Sequence, residues 1–167
     1  MLLLMACTPT NADLAAVLDA NTGVLEGVLL GLEGLEVKLD RHSQGDGLYG
    51  YNGTLGAGMG WNAGQVRVVG ESLSEQDGAL GTYTLSLDYV DVRVDGMTLN
   101  GTLAQDMTVI TQDDGRLDLD YTIVGQLDVD GAWMCDLDYA RDITPLGDAD
   151  YSEVFSGTLN GIEVSSL

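Results

Sequence analysis

The chain has 167 residues, and its six lysines and arginines against 27 aspartates and glutamates give a formal charge of -21. Phosphate binding draws on clustered cations, so this balance argues against nucleic acid and anionic membrane surfaces as partners. A hydrophobic fraction of 45% argues equally against a disordered acidic chain, and the length suits one domain that buries roughly 70% of the surface its unfolded form exposes.

The sequence opens MLLLMAC. Leu4-Met5-Ala6-Cys7 resembles the lipobox of bacterial lipoproteins, in which a small residue precedes the cysteine that becomes the lipidated N-terminus. The resemblance implies cleavage before Cys7, diacylation of its thiol and attachment of a folded domain to a membrane face. Residues 1–6 then form a signal-like segment, shorter than the ~7–15-residue apolar core of a signal sequence, and residues 7–11 form a polar tether. Residues 12–167 form a single domain. The implied address is the bacterial cell envelope, facing periplasm or exterior; the alternative is a cytoplasmic protein with an apolar N-terminus.

From Ala12 to about Glu33 the apolar spacing is helical, with Leu14, Val17, Leu18, Val24, Leu25, Val28, Leu29 and Leu32 on one face. Asn11 is the predicted N-cap. Ala20, Gly23, Gly27, Gly31 and Gly34 make a second ridge, of small residues, along which another backbone can approach closely. Asp19, Glu26 and Glu33 lie beside the stripe and oppose burial in lipid, so the ridge is expected to pack on a sheet. Each interior glycine costs about 1 kcal/mol of helix stability, and a break is expected near Thr22-Gly23.

Beyond residue 36 the period changes to two, with turn signals between strand-like runs. Val90, Val92 and Val94 alternate up to Asp95-Gly96, and Met97, Leu99 and Leu103 after it. A two-residue loop pairs Val94 with Met97 and Val92 with Leu99, as a type I′ hairpin requires. Around Asp130-Gly131 the same test demands a three-residue loop, Asp130 to Ala132, pairing Val129 with Trp133 and Leu127 with Cys135. Leu117, Leu119, Tyr121 and Ile123 extend that apolar row, and Asp113-Asp114-Gly115 makes another turn. Cys135 shares the row with Trp133, Leu137 and Tyr139, a position for inert packing rather than a nucleophile.

With parity fixed, Asp118, Asp120, Asp128, Asp136 and Asp138 point away from the apolar row, and Asp130 sits at the loop. Carboxylates two apart on a strand stand ~7 Å apart at the backbone, whereas calcium gathers oxygens at ~2.4 Å around one point. A solvated face is therefore expected. Only the curled turn of Asp128 and Asp130, with Asp136, offers a weak calcium alternative, and the bidentate closing ligand of a calcium loop is replaced by Leu137.

Gly58-Met59-Gly60-Trp61-Asn62-Ala63 fits a loose dinucleotide fingerprint, but a β-type run follows it instead of a helix. It reads as a bend where an aromatic covers bare backbone. His42 is the one histidine and reads as a loop residue. Among 27 acids some pair will stand at a hydrolytic separation by chance.

The sequence thus predicts an α+β fold, an N-terminal helix on a curved antiparallel meander of about seven to nine strands, or a half-open barrel. The expected function is non-catalytic: a lipid-anchored envelope protein with a structural or interaction role, needing no cofactor. Its partners would be the membrane, through the lipid anchor, and an envelope protein or apolar ligand. Two alternatives stand beside it: a carrier of an apolar or lipid ligand between helix and sheet, and a carboxylate-dependent hydrolase. A helix–sheet cavity above ~300 Å³ would favour the carrier.

Overall fold

The computed structural model describes residues 8–38, 47–75, 79–146 and 150–167. One helix, α1 (Asn11–Gly31), precedes nine strands: β1 (Glu36–Lys38), β2 (Leu48–Gly56), β3 (Ala63–Glu75), β4 (Leu80–Val94), β5 (Met97–Thr111), β6 (Leu117–Val129), β7 (Trp133–Pro145), β8 (Tyr151–Leu159) and β9 (Ile162–Glu163). The strands form one antiparallel sheet in sequence order, a meander with β1 and β9 at its two edges, so the sheet does not close into a barrel. Both edge strands are short: β1 covers only Tyr49 to Tyr51 of β2 and β9 only Thr158 and Leu159 of β8, so from Tyr151 to Gly157 the outer edge of β8 has no strand beside it among the described residues.

Helix α1 begins one residue earlier than predicted, because the cap is Thr10 rather than Asn11. A capping box links residues three apart, and Thr10 has Asp13 at that distance whereas Asn11 has Leu14. Thr10 Oγ1 accepts from the Asp13 amide at 3.2 Å, and Asp13 Oδ2 accepts from the Thr10 amide at 2.7 Å. Those bonds hold the Asp13 carboxyl below its usual range, the Thr10 amide contributing most.

No break occurs at Thr22-Gly23; the helix is continuous. Tertiary packing outweighs the glycine penalty here, because the ridge is where the β2–β3 loop lies. A methyl group on Gly27 would overlap the Met59 carbonyl, one on Gly31 would stand 2.7 Å from both Leu55 methyls, and one on Gly60 would stand 2.6 Å from the Gly23 carbonyl. Gly58 and Gly60 both take positive φ, +99° and +105°, so the loop turns sharply enough to bury Trp61 against the helix. The ridge and the bend around Trp61 are two halves of one contact.

The hairpins follow the predicted parity. Val94 pairs with Met97 and Val92 with Leu99, and Asp95 and Gly96 both have positive φ, as a type I′ turn needs. Val129 pairs with Trp133 and Leu127 with Cys135. Val90 departs from expectation: it is exposed, and Tyr89 takes the inward place. A bulge at Asp91, φ +50°, inserts one residue and flips the parity upstream of Val92. Asn100 Oδ1 accepts the displaced Asp91 amide at 2.7 Å.

The inner face of the sheet and the buried stripe of α1 form one core, in which Val17, Val24, Leu87, Leu99, Leu103, Ile123, Leu127, Cys135 and Leu159 are fully enclosed. The segment Asn11–Gly34 is long and apolar enough to cross a membrane, yet more than half of its apolar window is buried against the sheet. Asp120, Asp136 and Asp138 are exposed, and Asp118 and Asp128 are half-buried.

Candidate functional site

The antiparallel register stacks inward-facing side chains of β5 to β8 in rows across the sheet, successive rows ~7 Å apart. Gln105 pairs with Ile123 and Ile123 with Tyr139 in one row; Met107, Tyr121, Arg141 and Phe155 make the next. Leu119, Ile143 and Glu153 follow, and Leu117 and Tyr151 lie at the strand ends beyond them. Across from these rows stand Leu25, Glu26, Leu29 and Leu30 of α1: Leu25 is buried in the core and Glu26 reaches Arg141 of β7, while Leu29 is half-buried and Leu30 exposed. A cavity of about 710 Å³ is left between the layers.

This gap explains where the predicted apolar row fails to be dry. Tyr121 and Ile123 are buried as expected, yet Leu119 is half-buried and Leu117 is 42% exposed. Leu30 at 79% and Tyr151 at 60% exposure complete an apolar mouth. Arg116 lies beside them with its guanidinium on Asp114, at 2.7 Å.

Deeper in the cavity the lining turns polar. Arg141 follows Cys135, Leu137 and Tyr139 in the inward parity of β7, and it is only 6% exposed. Its Nη1 donates to Tyr121 Oη at 2.5 Å, its Nη2 to Glu26 Oε1 at 3.0 Å and its Nε to Glu153 Oε1. The guanidinium also lies 5.6 Å from the ring centres of Tyr121 and Phe155, within cation–π reach. Burial works against the charge, but the Tyr121 hydroxyl and the two carboxylates outweigh it, so the arginine is held firmly protonated. Tyr121 moves up, chiefly through burial and against the pull of Arg141.

Gln105, on β5 in the innermost row, is almost fully buried and lines the cavity, and its Oε1 has no hydrogen-bond partner among the described residues. An unpaired buried amide oxygen forfeits about 1–3 kcal/mol. By contrast the amide of Asn21 on α1 is engaged at both ends: it donates to Tyr139 Oη at 2.9 Å and accepts from Tyr89 Oη at 2.8 Å.

The residues singled out from the sequence fare differently. Cys7, with the rest of Leu4–Cys7, and His42 lie outside the described residues. Cys135 is enclosed, and burial, aided by Asp136, pushes its thiol up to about 12, as inert packing requires. Asp128, Asp130 and Asp136 are not gathered: Asp130 Oδ1 accepts from the Thr98 amide at 2.7 Å and Asp136 Oδ1 from Gln126 Nε2 at 2.5 Å. Among the described residues no three or more carboxylate, imidazole or thiol groups converge as metal ligands.

Arg141, Gln105 and Glu153 carry no motif in the sequence, and Glu26 stands out there only as an acid that opposes burial of the helix in lipid. The signal was present for two of them, since Arg141 continues the parity of Tyr139 and Gln105 stands between Leu103 and Met107 in the inward parity of β5. A polar side chain in an apolar row marks either a satisfied core group or a lined space. Chemically, the arrangement can shelter an apolar chain and meet a polar group at its inner end, while both carboxylates that reach in are engaged by Arg141. No protein family, curated protein or solved structure matches this chain.

Proposed function

We propose that the protein is a non-catalytic, lipid-anchored envelope protein that carries an apolar ligand in the groove between α1 and strands β5 to β8. The single observation behind this reading is the cavity of about 710 Å³, which exceeds the ~300 Å³ at the small end of ligand sites. Its wall is mostly leucine, isoleucine, methionine and tyrosine, and its mouth leaves Leu30, Leu117 and Tyr151 in water. A sealed helix–sheet interface would have favoured a purely structural role. The Leu4-Met5-Ala6-Cys7 resemblance supports the anchor and the bacterial envelope as address, and the tether before Thr10 would let the domain stand off the membrane.

Uptake of N-phenyl-1-naphthylamine, whose fluorescence rises in apolar surroundings, tests the groove. The expected result is saturable binding to one site, abolished by Leu29→Trp, which fills the space from the helix side without lowering the melting temperature. Unsaturable uptake, or the same uptake by the filled variant, would overturn the reading. Intact mass of the membrane-extracted protein tests the anchor: loss of residues 1–6 with added acyl mass is expected, and an unmodified thiol at Cys7 refutes it.

A further inference from the structure

We infer that the outer edge of β8 is a docking strand, and that it takes an extended segment of another protein with lysine or arginine at alternate positions. This inference does not depend on the groove. From Tyr151 to Gly157 β8 pairs with β7 on one side, and among the described residues no strand lies on the other. No loop backbone among them bonds to that stretch either. In an antiparallel ladder every second residue turns both its N–H and its C=O to the same side, so the stretch presents a row of free donors and acceptors. Edge strands are ordinarily blunted by brevity, lysine or proline. The nine residues of β8, YSEVFSGTL, have none of these, and their one charge, Glu153, lies on the inner face and is bonded to Arg141.

Side chains on the outer face set the chemistry of the added strand. Ser152, Val154, Ser156 and Thr158 form the outer row of β8, short and uncharged. One strand further in, β7 sets Asp142 opposite Val154 and Asp138 opposite Thr158, and both aspartates are exposed. A strand laid along β8 stands about 10 Å from β7, two strand spacings. The long stem of a lysine or arginine on it crosses the short row and carries its charge toward those carboxylates, whereas an acidic side chain there is repelled. Val154, 56% exposed, gives the stem apolar surface to cover. A second copy of this chain does not meet the requirement: β8 holds no cation, and each copy carries a charge of -21. Backbone pairing thus supplies the attachment, and charge selects a basic partner.

Binding of short end-blocked peptides to the full chain tests this, one alternating lysine with threonine, one lysine with proline and one glutamate with threonine. The two lysine peptides carry the same charge, but proline has no N–H to give to a ladder. The lysine–threonine peptide is expected to bind saturably and at least about tenfold more tightly than the lysine–proline peptide, the worth of one net backbone hydrogen bond. The glutamate–threonine peptide should not bind. Val154→Lys puts a cation on the edge and should weaken the lysine–threonine peptide severalfold. Val69→Lys makes the same charge change on β3, at the other side of the sheet, and should leave binding unchanged; both valines are exposed, so the melting temperature should hold in each variant. Equal affinity for the two lysine peptides, or equal loss in the two variants, would mean attraction to the general negative field and would overturn the inference. Binding of the glutamate peptide in preference overturns the choice of charge. A parent chain that sediments as a dimer, made monomeric by Val154→Lys, assigns the edge to a second copy and overturns it as well.

Discussion

The two flanks of α1 meet the rest of the protein in opposite ways within the same stretch of helix. On one flank Gly23, Gly27 and Gly31 lie against the β2–β3 loop, so close that a Gly27 methyl would overlap the Met59 carbonyl. On the other, Leu29 and Leu30, with Leu25 and Glu26 beside them, line a cavity of about 710 Å³ in front of β5 to β8, bridged by the Glu26–Arg141 contact. Small residues let backbones touch and fix the position of the helix; the long ones on the other flank line a space they do not fill.

Gly27→Ala is the most direct way to break that relation, and the largest effect is expected there. The new methyl collides with backbone rather than with the end of a side chain, so either the loop or the helix must move. A loss of about 3 kcal/mol or more is expected, at the upper end of overpacking effects, read as a lower urea midpoint with unchanged slope. Leu29→Ala on the open flank removes more atoms, yet should lose less than about 1.5 kcal/mol, because half-buried Leu29 already borders a void. If the two variants lose equally, the flanks are not packed differently.

Between the flanks lies Asn21, fully buried and bonded to the hydroxyls of Tyr89 and Tyr139. Asn21→Ala strands both hydroxyls, and about 2–4 kcal/mol of stability should go with it. The same centre predicts the alkaline limit of the fold. Burial raises Tyr89 and Tyr139 above 10 and Cys135 from 9.0 to about 12. The folded state therefore keeps protons that the unfolded chain releases. This contribution is complete below about pH 9 and is lost as pH rises toward 12. Melting temperatures measured from pH 8 upward should be level to about 9 and then fall steeply; a flat profile to pH 11.5 would place these groups in contact with water.

Parity made the closed parts of the molecule legible from the sequence, and the open part escaped for the same reason. Alternation in β6 and β7 assigns Cys135 to the interior and Asp138 to solvent without reference to anything distant, because pleating acts locally. Whether Leu117 and Leu119 are dry depends on a helix more than 80 residues earlier in the chain, which periodicity does not position. Arg141 was visible as a cation in an apolar row, but its partners Glu26 and Glu153 come from α1 and β8 and meet only in three dimensions. Val90 misled for a local reason: the bulge at Asp91 has no signature in a val-x-val pattern. The glycine ridge and the Trp61 bend were each readable, while their contact was not, since nothing in spacing links residue 27 to residue 59.

The smallest effect sharpens the comparison most, because it lies on the same ridge as the largest. Gly23 is one turn before Gly27 and shares its helical conformation, but a methyl group built on it meets nothing within 4 Å. The loop approaches Gly23 through its carbonyl, which an added side chain leaves in place. Gly23→Ala should therefore stabilise the protein by roughly 0.5–1 kcal/mol, the difference in helix propensity, where Gly27→Ala destabilises it. Opposite signs one turn apart would locate the helix–loop contact to within a single residue pair. A Gly23→Ala variant less stable than the parent would instead mean that the loop covers the whole ridge.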